Sequence, residues 1–160
     1  MFSPQRLLIR PARTDDVEAL VGFNLAMALE TEGRRLDAYL LRQGVCAVLE
    51  SPALGFYLMA QLPEEDSGAV VGQLLVTFEW SDWRNANFWW IQSVYVSPSW
   101  RRRGVYRRMY ETVLHDARER TDVCGIRLYV EKDNEVAQSV YRTLNLQQTQ
   151  YQIWEVDFVL

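Results

Sequence analysis

The chain has 160 residues, 49% of them apolar, and a net charge of −4. That length supports one domain, residues 1–160, with a real core, and the acidic balance excludes a nucleic-acid binder relying on a general basic surface. No apolar run approaches membrane-spanning length and the N-terminus has no apolar signal region, so the expectation is a cytoplasmic protein with no membrane and no nucleic-acid partner.

Residues 7–12 read as a short strand. Thr14 or Asp15 then caps a helix to about Glu30, with Val17, Leu20, Val21 and Leu25 at helical spacing. Gly33 interrupts the pattern, and a second helix covers about residues 36–50 until Pro52 and Gly55 end it. Residues 56–62 and 69–80 are strands around the polar turn P-E-E-D-S-G, and residues 88–96 are the next strand after the loop S-D-W-R-N-A-N.

The chain is organised around residues 89–110, W-W-I-Q-S-V-Y-V, S-P-S-W, R-R-R-G-V-Y-R-R-M-Y. A strand enters a turn bearing three arginines and a glycine, and a helix starts there. The first N–H groups of a helix lack intrahelical partners and carry partial positive charge, which makes this an anion site. Five arginines fall within residues 101–108 of an acidic chain, which points to a specific anion pocket. The helix runs from about 104 to 120 with Val105, Met109, Val113 and Ala117 on one stripe. Residues 125–131 are a strand parallel to 88–96 through a right-handed crossover. Asn134 caps a helix to Leu144, where Asn145 suits a positive-φ stop, and residues 149–158 read as a final strand.

Cys46 and Cys124 have no metal-ligand spacing, and His115 is the lone histidine, so no metal site is expected and the cysteines read as reduced core residues.

This order resembles the GNAT superfamily of N-acetyltransferases over nearly the whole chain. R-R-R-G-V-Y is similar to the family's Gln/Arg-x-x-Gly-x-Gly/Ala turn, with Arg101, Gly104 and Tyr106 in the named positions. N-E-V-A-Q-S-V-Y is similar to its Asn-x-x-Ala-x-x-x-Tyr, giving Asn134, Ala137 and Tyr141, and L-N-L stands where Leu-Gly-Phe is usual. Tyr106 and Asn145 replace small residues; only the Tyr106 backbone is needed for binding, and Asn tolerates the required φ.

The resemblance implies an α/β (α+β mixed sheet) fold, a central, mostly antiparallel twisted sheet whose one parallel pair splays into a V, with helices on both faces. It implies acetyl-CoA (coenzyme A) as cofactor. The pyrophosphate would meet Arg101, Arg102, Arg103, Gly104, Val105, Tyr106 and Arg107, with Gly104 allowing close approach. The pantetheine arm would pair with Val94, Tyr95 and Val96, and the amide of Val94 or Tyr95 would serve the acetyl carbonyl. Asn134 and Ala137 belong to the same site, Asn134 as helix cap and pantetheine contact. Tyr141 would protonate the departing thiolate, since a thiol titrates near 8.5 and a phenol near 10.

An amine acceptor is mostly protonated at neutral pH, so a base is needed. Glu79 is preferred over Glu30, Glu32 and Asp82. Residues 30–37 and the loop carrying Trp80, Asp82 and Trp83 are expected to line an acceptor pocket, where Glu30, Glu32 and two indoles suit a cationic amine, small molecule or peptide. The expected activity is acetyl transfer from acetyl-CoA to a primary amine by direct attack in a ternary complex. A non-catalytic acyl-CoA-binding regulatory module is the competing reading, and a transferase for a longer acyl chain is a third. With about a dozen residues after Leu146, room for one strand, the exposed sheet edge suggests a homodimer.

Overall fold

The computed structural model describes residues 6–158. The chain divides after Tyr129 into two compact units.

The first unit holds β1 (Leu8–Pro11), α1 (Val17–Glu32), α2 (Ala38–Glu50), β2 (Gly55–Gln61), β3 (Val70–Ser81), β4 (Ala86–Val96), α3 (Val105–Arg118) and β5 (Val123–Leu128). The five strands lie in the order β1-β2-β3-β4-β5. Neighbours are antiparallel except β4 and β5, which are parallel. The mixed sheet expected from the sequence is therefore present, and its one parallel pair is the one joined by the α3 crossover.

Strand alternation sorts the sheet into two faces. Tyr57, Met59 and Leu75 point to one face and form a core cluster with Val17, Leu20 and Val21 of α1 and Val45 of α2. On the other face, a Cβ placed on Gly72 would lie 3.4 Å from Val105 of α3. Val105, Met109, Val113 and Ala117 are all buried, as their common stripe predicts. Helices thus cover both faces.

Helix ends follow local chemistry. Gly33 ends α1 at φ 63°, and Arg34 N–H returns to the Ala28 carbonyl at 3.1 Å. Asp37, not Leu36, opens α2, accepting from the N–H groups of Tyr39 and Leu40 at 2.8 and 3.1 Å. Thr14 and Asp15 fall in a short 3-10 turn, Thr14–Asp16, ahead of α1. Asp16 there is buried. It accepts from Arg13 N–H and pairs with Arg10, whose guanidinium holds the Asp16 carboxyl below the usual range.

The second unit holds α4 (Glu135–Thr143). Asn134 caps it as expected, its Oδ1 accepting from Ala137 N–H at 3.0 Å, and Asn145 takes φ 62° just past its end. One expectation fails in this unit. Residues 149–158 form no strand, and Tyr151, Trp154 and Phe158 are exposed. Alternation alone does not make a strand: without a partner ladder, extended backbone gains no hydrogen bonds to offset its ordering.

Candidate active site

The site begins where β4 loses partners. Its pairing with β5 runs from Asn87 to Ile91, opposite Leu128, and stops. From Gln92 to Val96 the β5-side edge of β4 pairs with no strand among the described residues, as the parting predicted for this pair requires. On the other side, Gln73 faces Tyr95 while Leu75 faces Gln92, so Ser93 and Val94 together oppose Leu74. This is a β-bulge, with Ser93 held at φ 47°. Gln73, fully buried, donates from Nε2 to the Ser93 carbonyl at 3.2 Å and secures the bulge from below. A bulge re-aims backbone groups, and here it lies inside the Val94–Val96 stretch assigned to the pantetheine arm.

β4 then runs through a 3-10 turn, Pro98–Trp100, into α3. Arg102 sits at φ 60° and Gly104, the residue before the helix, at φ 78°. The first α3 hydrogen bond runs from Arg108 N–H to the Gly104 carbonyl at 3.1 Å, so the N–H groups of Val105 and Arg107 have no intrahelical acceptor. Arg102 and Arg107 are exposed at this mouth. The free edge, the bulge and this N-terminus are continuous along one chain segment. They fit an extended amide-bearing arm that ends in a phosphate group. Tyr106 keeps its ring beside Tyr110, 6.2 Å between centroids, so its bulk runs along the helix flank.

The arginines divide their work. Arg101 turns away from the mouth: it pairs with Glu30, donates from Nε to the Val96 carbonyl at 2.9 Å, and lies 5.3 Å over the Tyr95 ring. Tyr95 donates its hydroxyl to Glu30 Oε1 at 2.8 Å and packs its ring on Phe23. Glu30 thus ties the end of α1 to the end of β4. Arg101 and Tyr95 together hold its carboxyl below the usual range, and burial with the Glu30 charge pushes the Tyr95 phenol up. Arg103 lies over Trp100 at 5.0 Å.

The acceptor residues named from sequence are scattered. Glu32 pairs with Arg34 at 3.8 Å. Trp80 lies opposite Asn87, on the α3 face by alternation, and is 58% exposed. Asp82 accepts from the Trp83 N–H at 2.9 Å, and Trp83 is 86% exposed in the turn. Glu79 lies on the α1 face, opposite Phe88, and pairs with Arg127. Sequence reading missed Gln73 and Ser93 at the bulge and Arg127 on β5. A guanidinium in the middle of the apolar strand V-C-G-I-R-L was the available signal for Arg127.

In the second unit, Tyr141 of α4 is half-buried, and burial pushes its phenol up, so it is protonated at neutral pH. Among the described residues no cluster of His, Cys, Asp and Glu could hold a metal ion, and no helix is long and apolar enough to cross a membrane.

A family model described as "Acetyltransferase (GNAT) family" matches residues 24–145. A crystal structure of a possible acetyltransferase from Clostridium difficile 630 is 38% identical, with TM-score 0.87, covering 96% of this chain and 99% of that one. A predicted acetyltransferase with acetyl-CoA from Clostridium acetobutylicum superimposes with TM-score 0.74 at 20% identity, over 94% of this chain and 96% of that one. A complex of AAC(6')-Iy with the bisubstrate analog CoA-S-monomethyl-acetylneamine gives TM-score 0.71 at 17% identity, over 95% and 98%. No curated protein sequence matches the chain.

Proposed function

The chain belongs to the GNAT acetyltransferase family, and from that premise we propose that it moves the acetyl group of acetyl-CoA to a primary amine by direct attack in a ternary complex. The observation that carries this reading is the uninterrupted run from the unpaired edge of β4, through the bulge at Ser93 and Val94, to the Gly104 turn. A regulatory module that only bound the cofactor would share this run, and amine-dependent thiol release separates the two readings.

The residues take these roles. Arg102, Arg103, Gly104, Val105, Tyr106 and Arg107 hold the pyrophosphate, mainly through backbone N–H groups. Arg101 braces the turn from behind through Glu30 and the Val96 carbonyl. Val94, Tyr95 and Val96 pair with the pantetheine amides. Bound acetyl-CoA supplies the acetyl group as a thioester, an electrophilic carbonyl on a thiol leaving group. The N–H of Val94 or Tyr95 donates to the carbonyl oxygen as it gains charge. The amine nitrogen bonds to the carbonyl carbon, the carbon–sulfur bond breaks, and Tyr141 gives its proton to the sulfur.

The amine proton needs a carboxylate. Glu79 faces Phe88, five residues before the bulge at Ser93, which is roughly 15 Å at strand rise. Glu30 reaches the Tyr95 hydroxyl at the bulge end. We therefore assign proton removal to Glu30, through water, and give Glu79 the task of holding Arg127. One thiol-release assay reads both assignments. Tyr141→Phe lowers kcat by about a hundredfold with little change in KM for acetyl-CoA. Glu30→Gln shifts the acid limb of the kcat pH profile and Glu79→Gln leaves it in place. Wild-type turnover in Tyr141→Phe, or an acid limb moved by Glu79→Gln alone, contradicts them.

Among the described residues β5 ends the sheet with no strand on its outer edge, and a second copy covering it is part of the same reading. Sedimentation at micromolar concentration then gives a two-chain species, and a monomer refutes it.

A further inference from the structure

On the α1 face of the sheet, past the cover given by α1 and α2, a charged cluster is built around one ring. Phe88 lies over Gly125, where a Cβ would come within 2.7 Å of the ring. The guanidinium of Arg127 stacks 3.7 Å from the Phe88 centroid, and that of Arg84, from the β3–β4 turn, lies 5.1 Å from it. Glu79 pairs with one nitrogen of Arg127. Among the described residues Arg84 has no ion pair, and the remaining nitrogens of Arg127 make no hydrogen bond. Asp82, the nearest other carboxylate in sequence, has an oxygen on its own loop. Two guanidiniums thus meet one carboxylate.

Trp90 adds a second sign. It is the Cα partner of Arg127 across β4 and β5, so both side chains stand on this face. Its indole Nε1 is buried with no acceptor among the described residues. An indole N–H and a guanidinium only donate. Unsatisfied donors on one face of the sheet and surplus positive charge call for an anionic oxygen ligand, and a carboxylate meets a guanidinium through two parallel bonds.

We propose that the acceptor carries a carboxylate, bound by Arg127 with Arg84 and Trp90, at the far end of the molecule from its reacting amine. This rests on the acetyl-transfer reading above and names its substrate class. The spacing sets the form of the acceptor. Trp90 precedes Ser93 and Val94 by three to four residues, roughly 10 Å of strand. An α-amino acid, with amine and carboxylate on one carbon, does not span that gap. An ω-amino carboxylate with several carbons between the two groups does. Glu79 keeps Arg127 extended over Phe88 and is a positioning residue.

The test compares 6-aminohexanoate with pentylamine, the same chain without the carboxylate, in a thiol-release assay on the whole protein. A charge-assisted hydrogen bond corresponds to roughly a ten- to hundredfold effect. Wild type is expected to prefer 6-aminohexanoate by about that factor in kcat/KM. Arg127→Met brings the ratio near unity, and Arg127→Lys restores part of it, which separates ligand binding from a fold defect. A wild-type ratio near one, or a ratio unchanged by Arg127→Met, overturns the proposal. If neither amine releases thiol although acetyl-CoA raises the melting temperature, the transfer reading fails on its own account, and the carboxylate site is read by binding. A rise in melting temperature with 6-aminohexanoate in wild type and not in Arg127→Met supports the site. No rise in wild type overturns it.

Discussion

A Gly104→Val variant is expected to bind acetyl-CoA about a hundredfold more weakly, a loss of about 2.7 kcal/mol. Gly104 stands at φ 78° immediately before α3. A left-handed conformation costs an L residue with a Cβ roughly 1–2 kcal/mol, and a β-branched one is the worst accommodated. The turn escapes that strain by rotating, and rotation re-aims the N–H groups that the first turn of α3 leaves without intrahelical acceptors. Binding loses several aligned donors at once, so the effect exceeds the strain itself. Gly104→Asn separates this from bulk, since asparagine tolerates positive φ. It is expected to stay within about threefold of wild type. Calorimetric titration measures both. An unchanged dissociation constant in Gly104→Val contradicts the turn as the phosphate site.

The second large effect is on stability. Gly55→Ala is expected to destabilise the protein by about 4 kcal/mol or more, roughly 10 °C in melting temperature. Gly55 opens β2 at φ 151°, and a Cβ there would stand 2.1 Å from the Val76 carbonyl oxygen and 3.1 Å from its carbon. Those are backbone atoms of the neighbouring strand in the middle of the sheet, held by ladder pairing to β2 and to β4. No rotamer change relieves the overlap, so β2 must shift or lose its first pairs. Gly125 makes the useful contrast. Its obstacle is the Phe88 ring, a side chain that moves at lower cost. A Gly55→Ala protein melting within about 2 °C of wild type would show that the start of β2 is looser than described.

These two glycines show what the sequence could and could not announce. Gly104 was legible because its context was: a strand before it, arginines around it and a helical stripe after it. The five strands and four helices follow from local periodicity and cap residues, Asn134 and Asn145 included. Gly55 was legible only as a helix stop, because its demand comes from Val76, twenty-one positions away. The bulge had no local signal for the same reason: S-V-Y-V alternates like any strand, and the extra residue exists only relative to β3. Residues 149–158 erred in the opposite direction, with alternation but no partner. The acceptor side was read from composition, as carboxylates and indoles. Pairing then placed Trp80 on the face opposite to Glu79, set Glu79 against Arg127, and brought Arg84, Phe88, Trp90 and Arg127 together from two strands and a turn.

Acetyl-CoA binding is the claim on which the rest depends. A thermal-shift titration with acetyl-CoA, and free adenosine as control, tests it most directly. At a hundred times the dissociation constant, ligand binding adds about 2.7 kcal/mol, a rise of roughly 5–10 °C for a chain of this size. The account predicts that rise with acetyl-CoA and none with adenosine, because the pyrophosphate and pantetheine contacts carry the affinity. No shift at millimolar acetyl-CoA would contradict it.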